Sequence, residues 1–295
     1  MTVAVVTDST ACIPLGSLAE LGIHVVPLHV VVDGRSRTEG LQISSAEVAD
    51  ALRARRPVTT AKPSPGEFLD TYEKVAAAGA DHIVSVHLSS SMSATASSAR
   101  LAAVDAPVPV TVVDSRSVGM GLGFGVETAA RYAAAGAPPD VVARAAGQRS
   151  TAAVGLLYVD TLEHLRRGGR IGKASALLGS ALSIKPILRL ADGQIEPLER
   201  VRTASKAIAR LEQLVVAAVE EMDAPFGVEI AVHHLDSTAR ADGLQQRLRA
   251  RLPHVRRAVS VDLGAVVGTH VGPGTIAVAA SPWAGPAPVI GATHL

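Results

Sequence analysis

The sequence predicts an α/β protein of two domains, a parallel-sheet α/β domain followed by a mixed-sheet α+β domain. Up to about residue 150, short β-branched apolar runs alternate with helical patterns, which is typical of a parallel sheet. The second half differs, because it carries a strong hairpin signal, Asp192-Gly193, between two apolar runs. The length of 295 residues suits one large or two medium domains.

The first half contains four strand signals, each ending in polar or turn residues, over residues 3–6, 23–32, 82–88 and 108–113. Helices are predicted between them. One begins at Ser44 with Glu47 in a capping box, and another at Ser64 with Pro65 in its first position. A third helix follows the serine-rich residues 89–93, and a fourth begins near Gly119.

The second half is predicted to mix hairpins and helices. Strands are expected at residues 153–159, 187–190, 195–198, 227–232, 259–263 and 275–280. Helices are expected at residues 161–167, 205–222 and 237–251, and a glycine-rich loop at 268–274. We therefore place the domains at 1–152 and 153–282, with a loose Pro-, Gly- and Ala-rich tail over 283–295.

Composition excludes several classes of function. A net charge of +1 and 2% aromatic residues give no sign of a nucleic-acid partner. The single cysteine excludes an internal disulfide framework, and no histidine–carboxylate spacing predicts a metal site or a cofactor. The N-terminus lacks the features of a signal peptide, and no apolar run approaches the roughly 18 residues of a membrane span. We expect a cytoplasmic protein.

An anion site is the best candidate for chemistry in this sequence. The run 89–101 places serines between a buried strand and a helix start, although the run alone favours a simple serine N-cap. Thr60 lies in a second hydroxyl-rich loop, predicted over residues 57–65, and His270 stands between glycines. Two hydroxyls, free backbone amides and an imidazole would suit one carboxylate.

Other motifs are weaker. Glycines at 119, 121, 123 and 125 fail the dinucleotide spacing, so close helix packing or close approach of a ligand explains them better. Residues 168–173 resemble a phosphate loop only superficially. Ser93 and His270, with Asp8 as the orienting group, could form a nucleophilic pair, so a serine hydrolase acting on acyl esters is the alternative function.

The chain resembles the DegV family of bacterial fatty-acid-binding proteins over nearly all of residues 3–280. The resemblance is carried by ordered motifs, at residues 5–10, 60–68, 90–95, 113–115, 162–172, 184–187 and 268–274. It implies a two-domain fold with one long-chain fatty acid between the domains. The resemblance implies no ligand or cofactor besides the fatty acid, and it implies no catalytic residue and no metal-binding residue.

The resemblance also implies residue roles. The carboxylate would be held by the hydroxyls of Thr60 and Ser93 and the Ala94 amide, with His270 close by, and the tail would run into an apolar tunnel. Further residues become secondary pocket candidates: Asp8, Ser9, Ala61, Lys62, Ser91 and Gly121. Tail burial would contribute roughly 0.8 kcal/mol per methylene.

The resemblance implies a lipid-binding carrier in phospholipid metabolism, not an enzyme. Such proteins present the fatty acid to a separate fatty acid kinase, which converts the carboxylate to an acyl phosphate. Arg166, Arg167 and Arg170 would form a basic surface for this partner or for transient contact with an anionic membrane surface, although a solvated helix end explains them equally well.

This chain departs from the family motifs near the expected head group. Ala61 and Lys62 stand where the family has serine and glutamine. Ala94 and Ala96 replace the glycine and tyrosine that flank the threonine following the binding serine. The lysine adds a cation, and loss of the aromatic ring would reshape the pocket.

Overall fold

The computed structural model describes residues 1–177, 184–283 and 285. The chain divides into two compact units. The first unit comprises Met1–Pro27 and Lys62–Ala152, and the second comprises Leu28–Ala61 and Ala153–Trp283.

The described residues form strands and helices that alternate along most of the chain. The strands are β1 (Val3–Asp8), β2 (Ile23–Val26), β3 (His29–Val32), β4 (Arg35–Thr38), β5 (Val58–Ala61), β6 (His82–His87), β7 (Val110–Asp114), β8 (Val154–Tyr158), β9 (Lys185–Ala191), β10 (Gln194–Val201), β11 (Val228–His234), β12 (Val255–Asp262) and β13 (Ile276–Pro282). The helices are α1 (Leu15–Leu21), α2 (Ser45–Arg53), α3 (Pro65–Ala77), α4 (Thr95–Ala103), α5 (Met120–Ala134), α6 (Pro139–Thr151), α7 (Glu163–Arg167), α8 (Ala204–Glu220), α9 (Thr238–Arg251) and α10 (Gly264–Val271). Short 3-10 turns cover Ser9–Ala11 and Gly172–Leu177.

The first unit is built on a parallel sheet, which confirms the predicted α/β class. The strand order is β2-β1-β6-β7, and every pairing is parallel. Phe68 and Tyr72 of α3 and Ala99 of α4 are fully buried against Val6 and Ile83 of the sheet. Parallel strands need such helical cover because a parallel sheet is normally buried on both faces.

The second unit contains a mixed sheet and a small antiparallel sheet. The six-stranded sheet has the order β10-β9-β8-β13-β11-β12, with only β11 and β12 parallel. Helices α8 and α9 pack on it through buried residues such as Leu211, Leu244 and Leu248. The three-stranded sheet has the order β4-β3-β5.

Local sequence signals set several element boundaries as predicted. Ser44 and Ser64 each form a complete capping box, in which Glu47 and Glu67 accept from the N-cap amides. The β9–β10 hairpin turns at Asp192 and Gly193, which have φ angles of 50° and 77°. Two consecutive positive φ angles are typical of the tight turns that close hairpins.

The predicted strand over residues 23–32 is wrong as a single element. It forms two strands that belong to different sheets. Strand β2 ends just before Pro27, and strand β3 begins just after Leu28. Proline cannot donate to a strand ladder, so the chain leaves the parallel sheet at this point. The hydroxyl-rich loop predicted at 57–65 likewise contains a short strand, β5.

The compact units differ from the predicted domains in one segment. The division after Ala152 coincides with the predicted boundary, but Leu28–Ala61 groups with the second unit. The reason is a shared core, since Val30 and Val48 pack with Ala265 and Val266 of α10.

The predicted loose tail does not begin at residue 283. The amide of Trp283 donates to the carbonyl of Gly227 at 2.7 Å, and the Arg256 guanidinium lies 5.3 Å from its ring centroid. Residues 284 and 286–295 of the predicted tail lie outside the described residues, as do residues 178–183.

Candidate ligand-binding site

The carboxyl ends of β1 and β6 form the topological switch point of the first unit. These strands are neighbours, and the chain then proceeds to β2 on one side and to β7 on the other. Open α/β sheets bind ligands at this position, in the crevice outside the strand ends. The loops that begin here carry Asp8 and Ser9 after β1, and Ser91 and Ser93 after β6.

The loop after β6 is held in one shape by hydrogen bonds to Ser89. The Ser89 carbonyl accepts from the amides of Met92 at 2.9 Å and Ser93 at 3.1 Å, and its hydroxyl accepts from the Ser91 amide at 3.2 Å. The Ser89 amide donates in turn to the Ser117 carbonyl at 2.9 Å. Ser93 therefore occupies a fixed position at the start of α4.

No serine side chain caps α4, so the simple N-cap interpretation is wrong. The N-cap residue is Ala94, which has no side-chain hydrogen bond to the helix. The hydroxyl of Ser93 instead lies 2.8 Å from that of Thr95, and Ser93 is half-buried. Helix N-termini carry a partial positive charge and free N–H groups, which suit an anion.

Lys62 adds a cation beside the same helix. Its Nζ donates to the hydroxyl of Ser98, one turn into α4, at 2.6 Å. Ser98 is fully buried and neutral, and Lys62 forms no ion pair in the described part of the chain. Lys62 is exposed, and its charge adds to the partial positive charge of the helix N-terminus.

Asp8 is a structural residue at this switch point. One of its carboxylate oxygens accepts from Thr10, from the amide at 3.0 Å and the hydroxyl at 2.5 Å. The other lies 3.0 Å from Nδ1 of His87 and accepts from the Leu88 amide at 3.1 Å. The chain of hydrogen bonds continues from the His87 ring to the Ser85 hydroxyl and from there to the Tyr72 hydroxyl, and all these side chains are buried. With its oxygens engaged in this way, Asp8 supports the loops instead of facing a ligand.

The glycine-rich start of α5 is explained by close packing. A Cβ on Gly123 would stand 2.7 Å from the Ala11 carbonyl oxygen, and one on Gly125 would stand 2.7 Å from the Ala146 carbonyl oxygen. Gly121 is buried in the first turn of the same helix. The predicted packing role is confirmed for Gly123 and Gly125.

The second unit brings Thr60 and His270 together. Thr60 lies on β5 and His270 in the last turn of α10, and the Thr60 hydroxyl is 2.9 Å from Nε2 of His270. Residues 264–271 form a helix, which corrects the predicted loop at its N-terminal half. Ala61 ends β5 and is exposed.

Burial keeps His270 neutral. Loss of solvation, and secondarily the charge of Arg170, lower the pKa of the His270 imidazole to about 4. Its Nδ1 is buried without a hydrogen-bond partner in the described chain. A buried unpaired acceptor is more readily tolerated than a buried unpaired donor, so we assign the proton to Nε2. Nε2 then donates to the Thr60 hydroxyl, which leaves the hydroxyl proton of Thr60 free to point at another acceptor.

Two glycines make room for two histidines around this pair. A Cβ on Gly168 would collide with the His270 imidazole, and a Cβ on Gly272 would collide with the ring of His164. The segments 162–170 and 268–274 therefore interlock, each placing a histidine over a glycine of the other. Sequence reasoning missed this role of His164, for which the only signal was the repeated pairing of histidine and glycine in both motifs.

The predicted basic surface is partly neutralised. Arg166 and Arg167 are exposed, and both donate to Glu163, at distances of 2.7–2.9 Å. These hydrogen bonds, Arg166 first, lower the pKa of Glu163 to about 2. Arg170 is also exposed and donates to the Gly168 carbonyl at 2.6 Å, which links it to the segment beneath His270.

The predicted site residues thus fall into two groups. Thr60 and His270 are in contact within the second unit, which also carries the three arginines. Ala61 also belongs to the second unit. The remaining candidates belong to the first unit: Asp8, Ser9, Lys62, Ser91, Ser93, Ala94 and Gly121. Residues 1–177 and 184–283 contain no cluster of three or more metal-ligating side chains, and none of their helices is long and apolar enough to cross a membrane.

Comparison with known proteins identifies the family. A family model described as an uncharacterised protein of the DegV family matches residues 2–282. A DegV domain-containing protein of Streptomyces coelicolor is 51% identical over 279 residues, covering 95% of this chain and 98% of the relative.

Solved structures agree in fold. A DegV family protein from Thermus thermophilus, described by its fatty acid binding, superposes with a TM-score of 0.89 at 33% identity, covering 96% of this chain and 100% of the other. DegV of Bacillus subtilis, described as a fatty acid binding protein, gives a TM-score of 0.86 at 32% identity and covers 95% and 99%. The protein therefore belongs to the DegV family.

Proposed function

We propose that this protein binds a long-chain fatty acid whose carboxylate is held by Thr60, Ser93, the Ala94 amide and His270. The observation that carries the proposal is the contact of 2.9 Å between the Thr60 hydroxyl and the half-buried, neutral imidazole of His270. The fatty acid binding of the Thermus and Bacillus relatives supports the choice of ligand.

The Thr60–His270 pair suits a carboxylate because its hydrogen bonds run in one direction. With the proton on Nε2, His270 donates to Thr60, and Thr60 donates its own proton to the ligand. A buried carboxylate needs such charge-assisted hydrogen bonds in place of water. A neutral imidazole also avoids burying a second charge that would have to be paired when the site is empty.

Ser93 and the start of α4 would supply the remaining donors. The helix begins without a side-chain cap, and the Ser93 hydroxyl can donate to a ligand while accepting from Thr95. Lys62 follows Thr60 by two residues in the chain, and its ammonium group adds favourable potential for an anion. Among the secondary candidates, Asp8 acts indirectly, through the loops that it holds.

The fatty acid tail would supply most of the affinity. Each buried methylene contributes about 0.8 kcal/mol, so a C16 chain outweighs the head-group contacts. We propose an apolar tunnel for the tail, as the family resemblance implies. Shortening the chain should therefore weaken binding more steeply than altering any one head-group donor.

We further propose that the protein is a cytoplasmic carrier that presents its fatty acid to a separate kinase. The kinase would phosphorylate the carboxylate to an acyl phosphate, and the carrier itself would do no chemistry. The exposed Arg166, Arg167 and Arg170 surface is the proposed contact for the kinase or, transiently, for a membrane. In a reconstituted assay, Arg167→Glu should slow acyl phosphate formation without changing fatty acid affinity.

The alternative, a serine hydrolase, finds no support in the geometry. In the described chain, Nδ1 of His270 has no carboxylate to orient it, and Asp8 is engaged by His87, Leu88 and Thr10. A histidine with a pKa of about 4 is also a weak general base at neutral pH.

A titration with matched ligands tests the proposal. Delipidated protein is titrated with saturated and unsaturated fatty acids of C14 to C20 and with the methyl ester of the best of them. We expect saturable one-to-one binding of the acid and at least about tenfold weaker binding of the ester, which lacks the anion. Equal affinity for acid and ester would contradict the carboxylate site, and binding of none would contradict the function.

A further inference from the structure

Glu39 is a buried carboxylate that contacts the helix carrying His270. It follows β4 in the chain, and only 8% of its surface is exposed. Its Oε1 accepts a hydrogen bond from the Val266 amide at 2.7 Å, across a separation of 227 residues. Burying a carboxylate costs free energy unless its oxygens accept hydrogen bonds, so this buried contact is expected to have a structural role.

The contact caps α10. The N-cap residue Leu263 offers no side-chain acceptor, and Val266 is the third residue of the helix. Asp262 accepts from the amide of Gly264 at 2.7 Å, so two carboxylates face the positive end of the helix dipole. Gly264 has a φ of 73°, and a Cβ there would stand 2.6 Å from Oε1 of Glu39. Glycine at this position therefore admits both the turn and the carboxylate.

Glu39 also adjoins the small sheet that carries Thr60, directly after β4. Its amide donates to the Leu28 carbonyl at 3.0 Å, which fixes it beside the start of β3. Strand β3 pairs directly with β5, with Val30 opposite Thr60. One side chain thus connects the sheet bearing Thr60 to the helix bearing His270.

We propose that Glu39 is a positioning residue for the carboxylate site, because it anchors α10 to the β4-β3-β5 sheet and so sets the contact between Thr60 and His270. The inference rests on the proposed function. In this role Glu39 does not itself contact the ligand. Its effect on binding must therefore pass through His270, which makes it separable from a general effect on folding.

A double-mutant cycle tests this route. Affinity for a fatty acid that binds the wild type, palmitate for example, is measured for Glu39→Ala, His270→Ala and the double variant, together with thermal unfolding of each. We expect Glu39→Ala to weaken binding about fivefold, the change that corresponds to one helix cap, in the wild-type background. In the His270→Ala background it should change affinity by less than about twofold, because coupled residues are not additive.

Control variants separate positioning from stability. Glu47→Ala removes the capping carboxylate of α2 in the same unit and should leave affinity unchanged while lowering stability. If Glu39→Ala does not fold, Glu39→Asp, one methylene too short to reach Val266, replaces it in the cycle. An unchanged affinity, or an equal loss with and without His270, would overturn the inference. Failure of the wild type to bind any fatty acid would instead contradict the proposed function.

Discussion

The imidazole of His270 fills the space that a side chain on residue 168 would need, so Gly168 is fixed by a residue far away in the chain. Gly168 has a φ of −74°, an angle that any residue adopts. Glycine is therefore required here by the imidazole and not by the backbone. A substitution at Gly168 should therefore move His270 and alter the candidate site.

We predict that Gly168→Ala displaces His270 and weakens fatty acid binding about tenfold, since it breaks the hydrogen bond with Thr60. Isothermal titration measures the change. Gly243→Ala is the matched control in the same unit, because a Cβ there meets only the flexible end of Arg247, at 3.4 Å. Wild-type affinity in Gly168→Ala would show that the position of His270 does not matter for binding.

Ser93→Ala should weaken fatty acid binding about tenfold or more and leave the fold intact. A hydrogen bond to a charged group contributes about 1.5–3 kcal/mol, and Ser93 is not needed to cap α4. Titration measures the fatty acid affinity, and circular dichroism shows whether the fold is intact. Ser97→Ala, an exposed serine in the same helix, is the control and should bind as the wild type does. If both variants bind equally well, Ser93 does not belong to the site.

The neutral, half-buried His270 should make stability depend on pH. Its pKa of about 4 in the folded protein lies below the value of about 6.5 expected when unfolded. Between these values the unfolded state binds more protons, so stability is complete above pH 6.5 and declines as the pH falls towards 4.

His270→Gln should therefore reduce the loss of stability between pH 7.5 and pH 5 by about 2 kcal/mol. Urea unfolding at both pH values measures the difference. His233, whose pKa burial also lowers to about 4, is unchanged in the variant and cancels in the comparison. Identical pH dependence in the two proteins would show that His270 is not buried in neutral form.

Asp8→Ala should destabilise the protein by about 3 kcal/mol, because it leaves the buried donors of Thr10, His87 and Leu88 without an acceptor. Urea unfolding followed by circular dichroism measures the loss. Asp81→Ala, whose carboxylate is largely exposed, serves as the control and should cost below about 1 kcal/mol. Equal costs for the two variants would contradict the structural role of Asp8.

Lys62→Gln should weaken binding about threefold at low salt, and the difference should shrink at high salt, because an exposed charge acts through screened electrostatics. Lys74→Gln, also a surface lysine, is the matched control. Affinities at about 20 mM and 500 mM salt distinguish the two. A salt-independent effect, or none, would remove Lys62 from the electrostatics of the head group.

Short-range signals made much of the fold predictable. Ser64, Pro65 and Glu67 lie within four residues and define the start of α3 by local hydrogen bonds. Asp192 and Gly193 define a hairpin in the same way. The parallel sheet followed from apolar runs that alternate with helical patterns, and its class required no knowledge of long-range contacts.

The remaining features depend on contacts between distant residues. Nothing near Glu39 indicates that it caps a helix at Val266, and nothing near Gly168 indicates His270. For the same reason, the assignment of residues 28–61 to the second unit could not be inferred, since it follows from packing against α10. Thr60 and His270 were predicted as site residues, but their direct contact appears only in the folded chain.

The most direct test of the account is to identify what the purified protein carries. The protein is denatured, extracted and analysed by mass spectrometry, and the delipidated protein is then reloaded from a mixture of C14 to C20 fatty acids. We predict close to one fatty acid per chain in both experiments, and a marked reduction in Ser93→Ala. A protein that carries no fatty acid and takes up none from the mixture would contradict the central claim.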